Sequence, residues 1–413
     1  MSIERFSRPL PSVRQVIQDF GTTYAANGLI GFIFAASGPV AILLTMGSRG
    51  GLGQAELSSW IFGCFFINSL LTILYCVSYR KPLVFFWTIP GSILVGASLT
   101  HLTFPEVVGA YMVTGVLMLI LGFSGWVRRA MNIVPMPIVM AMVAGVFLQF
   151  GLDLVIALHD GFAIAAPMVM MFIVLSLFTS LGRILPPMIG VLMVGLLAVL
   201  LTPGDHDGDA LAFSFNMPSL VMPEFSAAAI FELVIPLAIT VIVVQNGQGI
   251  AILKSARHDP PVNAITVACG GFSVLTAFTG AVSTCLTGPV NALISASGEH
   301  GRQYTAGVFI GVLGLLFGLF SSTFTGLMLA APTAFIAALA GLAMLRVLQN
   351  SMVAAFGSTC TLGALITFLI TLVDLPILGL GAPFWGLVFG CCLSWLLERG
   401  DYLEAITLSE DSR

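Results

Sequence analysis

The sequence predicts an all-α integral membrane protein of about fourteen transmembrane segments in two inverted seven-span repeats. Three observations predict it. First, the 413-residue chain is 58% hydrophobic and only 8% charged, with a mean hydropathy of +1.05; soluble domains carry about 25% charged residues. Second, apolar runs recur from end to end and leave no room for a sizeable soluble domain. Third, two runs in corresponding halves are interrupted by Gly and Pro. They are residues 84–100, VFFWTIPGSILVGASLT, and residues 280–297, GAVSTCLTGPVNALISAS. Each meets its break at Pro90-Gly91 or Gly288-Pro289 and then continues for too few residues to make a full span of roughly 20. A broken helix at membrane depth has to be buried in protein or line a wet cavity. A pair of them in matching positions points to a transporter's binding site.

The elements follow in order. Residues 1–20 carry Arg5, Arg8 and Arg14, lack the apolar core of a signal peptide, and read as a cytoplasmic tail or surface helix. Apolar runs place span 1 at about 23–46, span 2 at 57–79, span 3 at the first broken stretch, span 4 at 107–125 and span 5 at 133–151. Span 6 is 162–181 and span 7 is 185–201, followed by a polar loop with Asp205, His206, Asp207 and Asp209. Span 8 is 230–253, span 9 is 262–278 and span 10 is the second broken stretch. Spans 11 to 14 are 304–320, 326–348, 353–373 and 382–397. The runs of β-branched, aromatic and small residues before Pro90 and before Gly288 are expected to lead into half-helices.

Loop charges support this count. With both termini inside, every basic residue of the fifteen except Arg49 falls on the cytoplasmic side, including Arg80, Lys81, Arg128, Arg129, Arg183, Lys254, Arg257, Arg302, Arg346, Arg399 and Arg413. That is the expected bias of cytoplasmic loops. Glu56, Asp160, Asp374 and the acidic loop fall outside. A duplication is visible in two short matches at one offset. Ala144-Gly145 corresponds to Ala340-Gly341, and Pro187 to Gly190 corresponds to Pro383 to Gly386. Seven spans per half is odd, so the halves insert with opposite topology. The seven cysteines sit almost entirely in apolar runs without metal-ligand spacing, which favours packing over disulfides or zinc.

Candidate binding residues cluster in spans 1, 3, 8 and 10. Span 1 holds Phe34, Ser37, Gly38 and Pro39. Span 8 holds Gln245, Asn246 and Gln248, the densest polar cluster inside any span. Intramembrane amides either bond a substrate or join helices. The half-helix N-termini expose unpaired N–H groups and partial positive charge, so two of them meeting at the midplane make an anion site. Donors are expected around Gly91 and Ser92 in span 3 and around Val290 and Asn291 in span 10, with hydroxyls from Ser283, Thr284 and Thr287. No Lys or Arg falls at midplane depth, which suits a monovalent carboxylate better than a dianion. Phe85, Phe86 and Trp87, with Phe32 and Phe34, are either an aromatic wall for an apolar ligand or ordinary core and lipid-facing rings. Glu106, Asp153, Glu232, Glu299 and Asp374 all fall at span ends and read as interface charges rather than relays. His101, His159, His206, His258 and His300 fall in loops without metal-ligand spacing. No nucleophile–base set, phosphate-binding Gly-rich motif or nucleic-acid patch is present, so an enzyme is not expected and no cofactor is implied.

The segments Ala35 to Pro39, Trp87 to Ser92, Gln245 to Gly249 and Thr287 to Pro289 carry a resemblance to the bacterial BenE family of benzoate:proton symporters. It covers essentially all the spans. The family is similar in plan to the uracil-transporter fold. The resemblance implies a core domain of spans 1–4 and 8–11 (residues 21–125 and 228–322) and a gate domain of spans 5–7 and 12–14 (130–202 and 325–398). It also implies strands opening spans 3 and 10 that cross at the site, an elevator-like motion of core against gate, and often a homodimer. The nucleobase branch of that fold carries a Glu and a His in span 8 and a Glu in span 10. Here Val244 and Gln248 stand in span 8, and Pro289 or Asn291 in span 10. That departure argues against a nucleobase and leaves the proton carrier unassigned. The resulting expectation is an inner-membrane importer of benzoate or a related aromatic carboxylate with a proton. An alternative is an anion exchanger or channel of the same fold without proton coupling. A weak acid could also bring its own proton, making a dedicated carboxylate unnecessary.

Overall fold

The computed structural model describes residues 3–4, 10–127, 134–178, 185, 187–201, 215, 217–295, 298–373 and 382–402. Arg5, Arg8, Arg128, Arg129, Arg183, the acidic loop with His206, Asp374 and Arg413 lie outside them. The described chain is mostly helical. Six helices are long and apolar enough to cross a membrane, or seven if one bent pair is a single span. Six shorter apolar helices of 10–17 residues lie among them.

A short surface helix, α1 (Val13–Asp19), precedes α2 (Thr22–Ala36) and α3 (Gly38–Arg49). The break between α2 and α3 falls at Ser37, whose backbone is not helical (φ −99°, ψ −100°). Pro39 causes it, because it offers no N–H to the Ala35 carbonyl. Span 2 consists of α4 (Gln54–Phe62), a wide π-helical turn (Gly63–Ile67) and α5 (Asn68–Tyr79). After a strand and a short helix described below come α7 (Phe104–Ser124), α8 (Met136–Asp160), α9 (Phe162–Leu177) and α10 (Pro187–Leu201). Span 8 is α11 (Ala227–Ile239), a second π-helical turn (Thr240–Asn246) and α12 (Gly247–Ser255), followed by α13 (Val262–Ala277).

The expected boundaries of spans 12 and 13 need correction. Helix α15 (Tyr304–Leu319) bends by 71° into α16 (Ser321–Leu329), so Gly326 does not open span 12. Span 12 opens after Pro332 as α17 (Thr333–Phe356), since the residue before a proline is disfavoured in helix. It also runs through the polar Gln349-Asn350-Ser351 that read as a loop. The chain breaks instead at Gly357–Cys360, before α18 (Thr361–Val373) and α19 (Ala382–Leu397).

The two interrupted stretches each form a three-residue strand and a short helix: β1 (Phe85–Trp87) with α6 (Ile89–Ser98), and β2 (Thr284–Leu286) with α14 (Gly288–Ser295). The strands pair antiparallel, Phe85 opposite Leu286, Phe86 opposite Cys285 and Trp87 opposite Thr284. So short a sheet has two open edges, and buried backbone groups must be paired. Side chains close them. The Phe85 N–H donates to Thr72 Oγ1 at 2.9 Å, and Asn68 Nδ2 donates to the Phe86 carbonyl at 3.2 Å. The Leu286 N–H donates to Asn246 Oδ1 at 2.8 Å, and the Thr284 N–H to Ser273 Oγ at 2.9 Å. The turn into β2 requires Gly280, which has φ +75° and no room for a Cβ beside the Phe104 ring.

Two large apolar clusters flank this sheet. One joins α2 with α4, α7, α11 and α15, and the other joins α8, α9, α10 and α17 with α3 and α6. Lipid is as apolar as leucine, so close approach of small residues holds such helices together. A Cβ on Gly115 of α7 would lie 2.8 Å from the Gly270 carbonyl of α13, and one on Gly341 of α17 would lie 2.7 Å from the Phe150 carbonyl of α8.

Candidate functional site

A cavity of about 360 Å³ opens where the two strand–helix units meet α8 and α17. Trp87, Ile89 and Pro90 come from β1 and the start of α6, and Thr287, Pro289 and Val290 from the start of α14. Phe34 and Pro39 stand at the break between α2 and α3. Val243 to Gln245 come from the second π-helical turn, and Gly247, Gln248 and Ala251 from α12. The far wall is Met136, Met140, Val143 and Phe147 of α8 with Met344, Val347, Asn350, Ser351 and Ala354 of α17. A π-helical turn inserts an extra residue into a helix and is frequent at functional sites; here it ends at Asn246, and Gln245 and Gln248, three residues apart and so on one helix face, both line the cavity.

Of the expected site residues, Phe34, Phe86, Trp87, Gln245, Gln248, Thr287 and Val290 line this cavity. The other eight lie off it, and their bonds explain why. Asn246 turns to β2 and accepts the Leu286 N–H. Asn291 is committed to Val84 and to the Thr287 carbonyl, to which Nδ2 donates at 2.7 Å. The Gly91 N–H, expected to be open, donates to the Thr88 side chain at 3.2 Å. Ser92 donates through its backbone and its hydroxyl to the Thr88 carbonyl. Thr284 donates to Asn68 Oδ1 at 2.8 Å, and Ser283 is buried with its hydroxyl unpartnered among the described residues. Ser37 donates back to the Phe34 carbonyl at 3.1 Å. Gly38 packs so closely on α17 that a Cβ would lie 2.2 Å from Ala343 Cβ.

The cavity wall is apolar and uncharged: no Asp, Glu, Lys, Arg or His is among its described lining residues. Its polar side chains are neutral, and apart from Thr287, whose hydroxyl donates to the Val84 carbonyl at 3.2 Å, they have no partner among the described residues. Gln245 is only 7% exposed, and neither it nor Gln248 bonds a described residue. The Trp87 indole N–H and the Ser351 hydroxyl are also buried without a partner among the described residues. Gly288 leaves space for Gln248, since a Cβ there would lie 2.5 Å from Gln248 Oε1. An aromatic group, Phe86 and Trp87 with ring centroids 5.9 Å apart, forms one side. Unpaired buried donors are costly, and a ligand with acceptor atoms would satisfy them.

Sequence reasoning missed Asn68, Asn350 and Ser351. Asn68 was a lone amide inside an apolar span, which is itself a signal. Asn350 and Ser351 were hidden by the reading of that polar stretch as a loop. Glu232 is a further correction. It is not a solvated end charge but 2% exposed, accepting from the Ser98 hydroxyl and pairing with His101 Nε2 at 2.9 Å. By contrast, Asp153 pairs with Arg49 at 2.8 Å, Glu106 caps α7 through Thr103, and Glu299 pairs with Arg302 at 3.5 Å.

Solved structures share the fold. The transmembrane domain of a cyanobacterial bicarbonate transporter, BicA, superposes with a TM-score of 0.62 at 15% identity over 90% of this chain and 98% of its own. The murine Solute Carrier 26 family member A9 anion transporter, in an inward-facing state, superposes with a TM-score of 0.61 at 16% identity over 94% of this chain and 70% of its own. In sequence, the chain is 28% identical over 91% of its length to 97% of the inner membrane protein YdcO of Escherichia coli. It is 27% identical over 92% of its length to 97% of the benzoate membrane transport protein of Acinetobacter baylyi. The family model for benzoate membrane transport proteins matches residues 18–396, and the chain belongs to this family, BenE.

Proposed function

We propose that this protein imports benzoate or a closely related aromatic carboxylate across the bacterial inner membrane together with a proton. The observation that carries the substrate class is the apolar, uncharged cavity in which Gln245, Gln248, Trp87 and Ser351 offer neutral polar groups without a partner among the described residues. Its size falls within the roughly 300–1,000 Å³ of small-molecule sites. The ring lies against Phe34, Phe86 and Trp87. The carboxylate accepts from Gln245, Gln248 and the Trp87 indole, near the first turn of α14 at Val290. Charge-assisted bonds of this kind are roughly twice as strong as neutral ones.

In the same reading, fourteen segments form two inverted seven-span repeats with both termini cytoplasmic. Residues 21–125 and 228–322 form a core, and 130–202 and 325–398 form a gate. Helices α6 and α14 act as half-helices at membrane depth, and the core moves against the gate like an elevator. Packing of Gly190 on α9 and of Gly386 on α18 supports the repeat. A homodimer belongs to this reading too. The second reading, anion exchange without a proton, is favoured by the fold it shares with anion transporters, whereas the apolar lining favours an aromatic ligand. Thermal stabilisation of the purified protein by benzoate, substituted benzoates, uracil, sulfate and bicarbonate tests the substrate, because a ligand that binds only the fold raises stability. A benzoate-selective shift lost in Gln248→Ala supports the reading. A shift with uracil or inorganic anions alone overturns it.

A further inference from the structure

The described lining of the substrate cavity holds no titratable group, yet a proton-coupled carrier needs somewhere to bind a proton. We propose that Glu232, held between Ser98 and His101, is that proton-binding group. The proposal rests on the proton-coupled reading above and names the site that the reading leaves open.

The position is built from the same two elements that build the cavity. Helix α6 starts at the cavity with Pro90 and ends at Ser98. Span 8 passes Glu232 in α11 before it reaches Gln245. The two run antiparallel: Thr88 Oγ1 donates to Thr240 Oγ1 at 3.0 Å near the cavity, and Ser98 donates to Glu232 at the far end. One short rigid helix therefore connects the carboxylate to the binding site, roughly 12–15 Å away at 1.5 Å per residue.

The carboxyl has a partner in either protonation state. Ionised, it accepts from Ser98 Oγ–H at Oε1 and pairs with His101 Nε2 at Oε2. Protonated at Oε1, it donates to Ser98 Oγ, and the Ser98 hydroxyl turns to the Leu94 carbonyl, which lies 3.2 Å away. Only one proton is gained, and no buried polar atom is orphaned. His101, 30% exposed, connects the carboxyl to solvent.

Few other charges face it. Helix α11 packs on α6, α7 and α19 as well as on its own π-helical turn. From α6 and its end come Ser98 and His101. On α7 the first-turn Glu106 is bound in its own cap by Thr103, and Glu224, before α11, is exposed. The start of α19 presents Pro383 and Phe384, which line a small cleft beside Glu232 and carry no charge. With His101 neutral, an ionised carboxylate sliding over that apolar surface would carry a net charge into it. Protonation removes its charge and frees the core to move.

Two measurements on the full chain test this. Infrared difference spectra between about pH 5 and pH 8 read the carboxyl directly and need no substrate. A protonated-carboxyl band that grows on acidification and is missing from Glu232→Gln supports the site; a spectrum unchanged by that substitution overturns it. In proteoliposomes, corrected for protein-free vesicles, one unit of outside-acid gradient drives about tenfold benzoate accumulation at one proton per substrate. Glu232→Gln is expected to exchange benzoate but not to accumulate it. Accumulation equal to wild type overturns the proposal and puts the proton on the substrate. If Glu232→Gln does not fold, His101→Gln is expected to shift the infrared midpoint, and an unmoved midpoint counts against the site. Wild-type protein that titrates normally but exchanges no benzoate keeps the proton site and overturns only the substrate class.

Discussion

Asn291 brackets Val84: the Val84 N–H donates to Asn291 Oδ1 at 3.0 Å, and Asn291 Nδ2 donates back to the Val84 carbonyl at 3.3 Å. One amide from α14 thus fixes the chain entering β1. The Val84 carbonyl also accepts the Thr287 N–H at 3.0 Å, so only the Val84 N–H depends wholly on Asn291. Asn291→Ala is expected to leave that buried donor unpaired and to lower stability by about 1–3 kcal/mol, read as an earlier thermal transition in detergent. An unchanged transition would show that another acceptor or a water replaces the amide.

Gln248→Ala is expected to behave in the opposite way. Its amide bonds no described residue, so stability should change by no more than about 0.5 kcal/mol. Losing a bond to a carboxylate costs about 1.5–3 kcal/mol, or roughly ten- to a hundredfold in Kd for benzoate. Equilibrium binding by calorimetry measures it. A large stability loss with unchanged affinity would reassign Gln248 to structure.

This contrast marks how far the sequence could be read. The two Gly/Pro breaks located both strand–helix units, because backbone chemistry is local. The polar cluster of span 8 was equally visible, but its division was not. Gln245 and Gln248 share a face and reach the cavity while Asn246, between them, serves β2, and which face meets the cavity is decided by distant packing partners. Met136, Phe147 and Asn350 come from helices distant in sequence, so no local signal joined them to Trp87. Glu232 looked like an interface charge because burial at a span end is decided by its neighbours Ser98 and His101, not by its own segment.

Gly38 and Ala343 form a testable contact between α3 and α17. A Cβ at Gly38 would lie 2.2 Å from that of Ala343. Gly38→Ala is expected to cost about 1–3 kcal/mol through overpacking and to slow uptake. Adding Ala343→Gly opens the space and should restore both. A double-mutant cycle with no coupling beyond about 0.5 kcal/mol would mean that the helices simply move apart.

His258 gives a pH dependence away from the cavity. It lies in the turn between α12 and α13, stacked on His300 at 3.8 Å, with Nε2 at 2.7 Å from Gln303 Oε1. Burial holds it below its usual value of 6.5; His300 and Lys81 add to this, and the Gln303 bond opposes it. The folded state therefore prefers the neutral ring, whose Nδ1 is buried without a partner among the described residues. Its contribution is complete above the unfolded value and is lost as pH falls from about 6.5 toward the lower folded value. Unfolding measured across that range should show falling stability on acidification, and His258→Asn should flatten that part of the slope.

Arg49 and Asp153 join α3 to α8 at the end of α3 remote from Gln248. Gln149 Nε2 also donates to Asp153 at 2.8 Å. The Arg49 side chain is 50% exposed, and an exposed pair is worth about 0–1 kcal/mol. Such a bond is too weak to hold the fold but strong enough to bias two conformations of similar energy, since 1 kcal/mol is about fivefold in population. Ser48, on the cavity of about 440 Å³ beside this pair, reports opening at that end. With the exposed Cys392 replaced, labelling of Ser48→Cys by a polar thiol reagent should quicken by up to about fivefold when Asp153→Asn is added. The unfolding transition should scarcely move. Labelling that stays constant would make the pair an ordinary surface bridge.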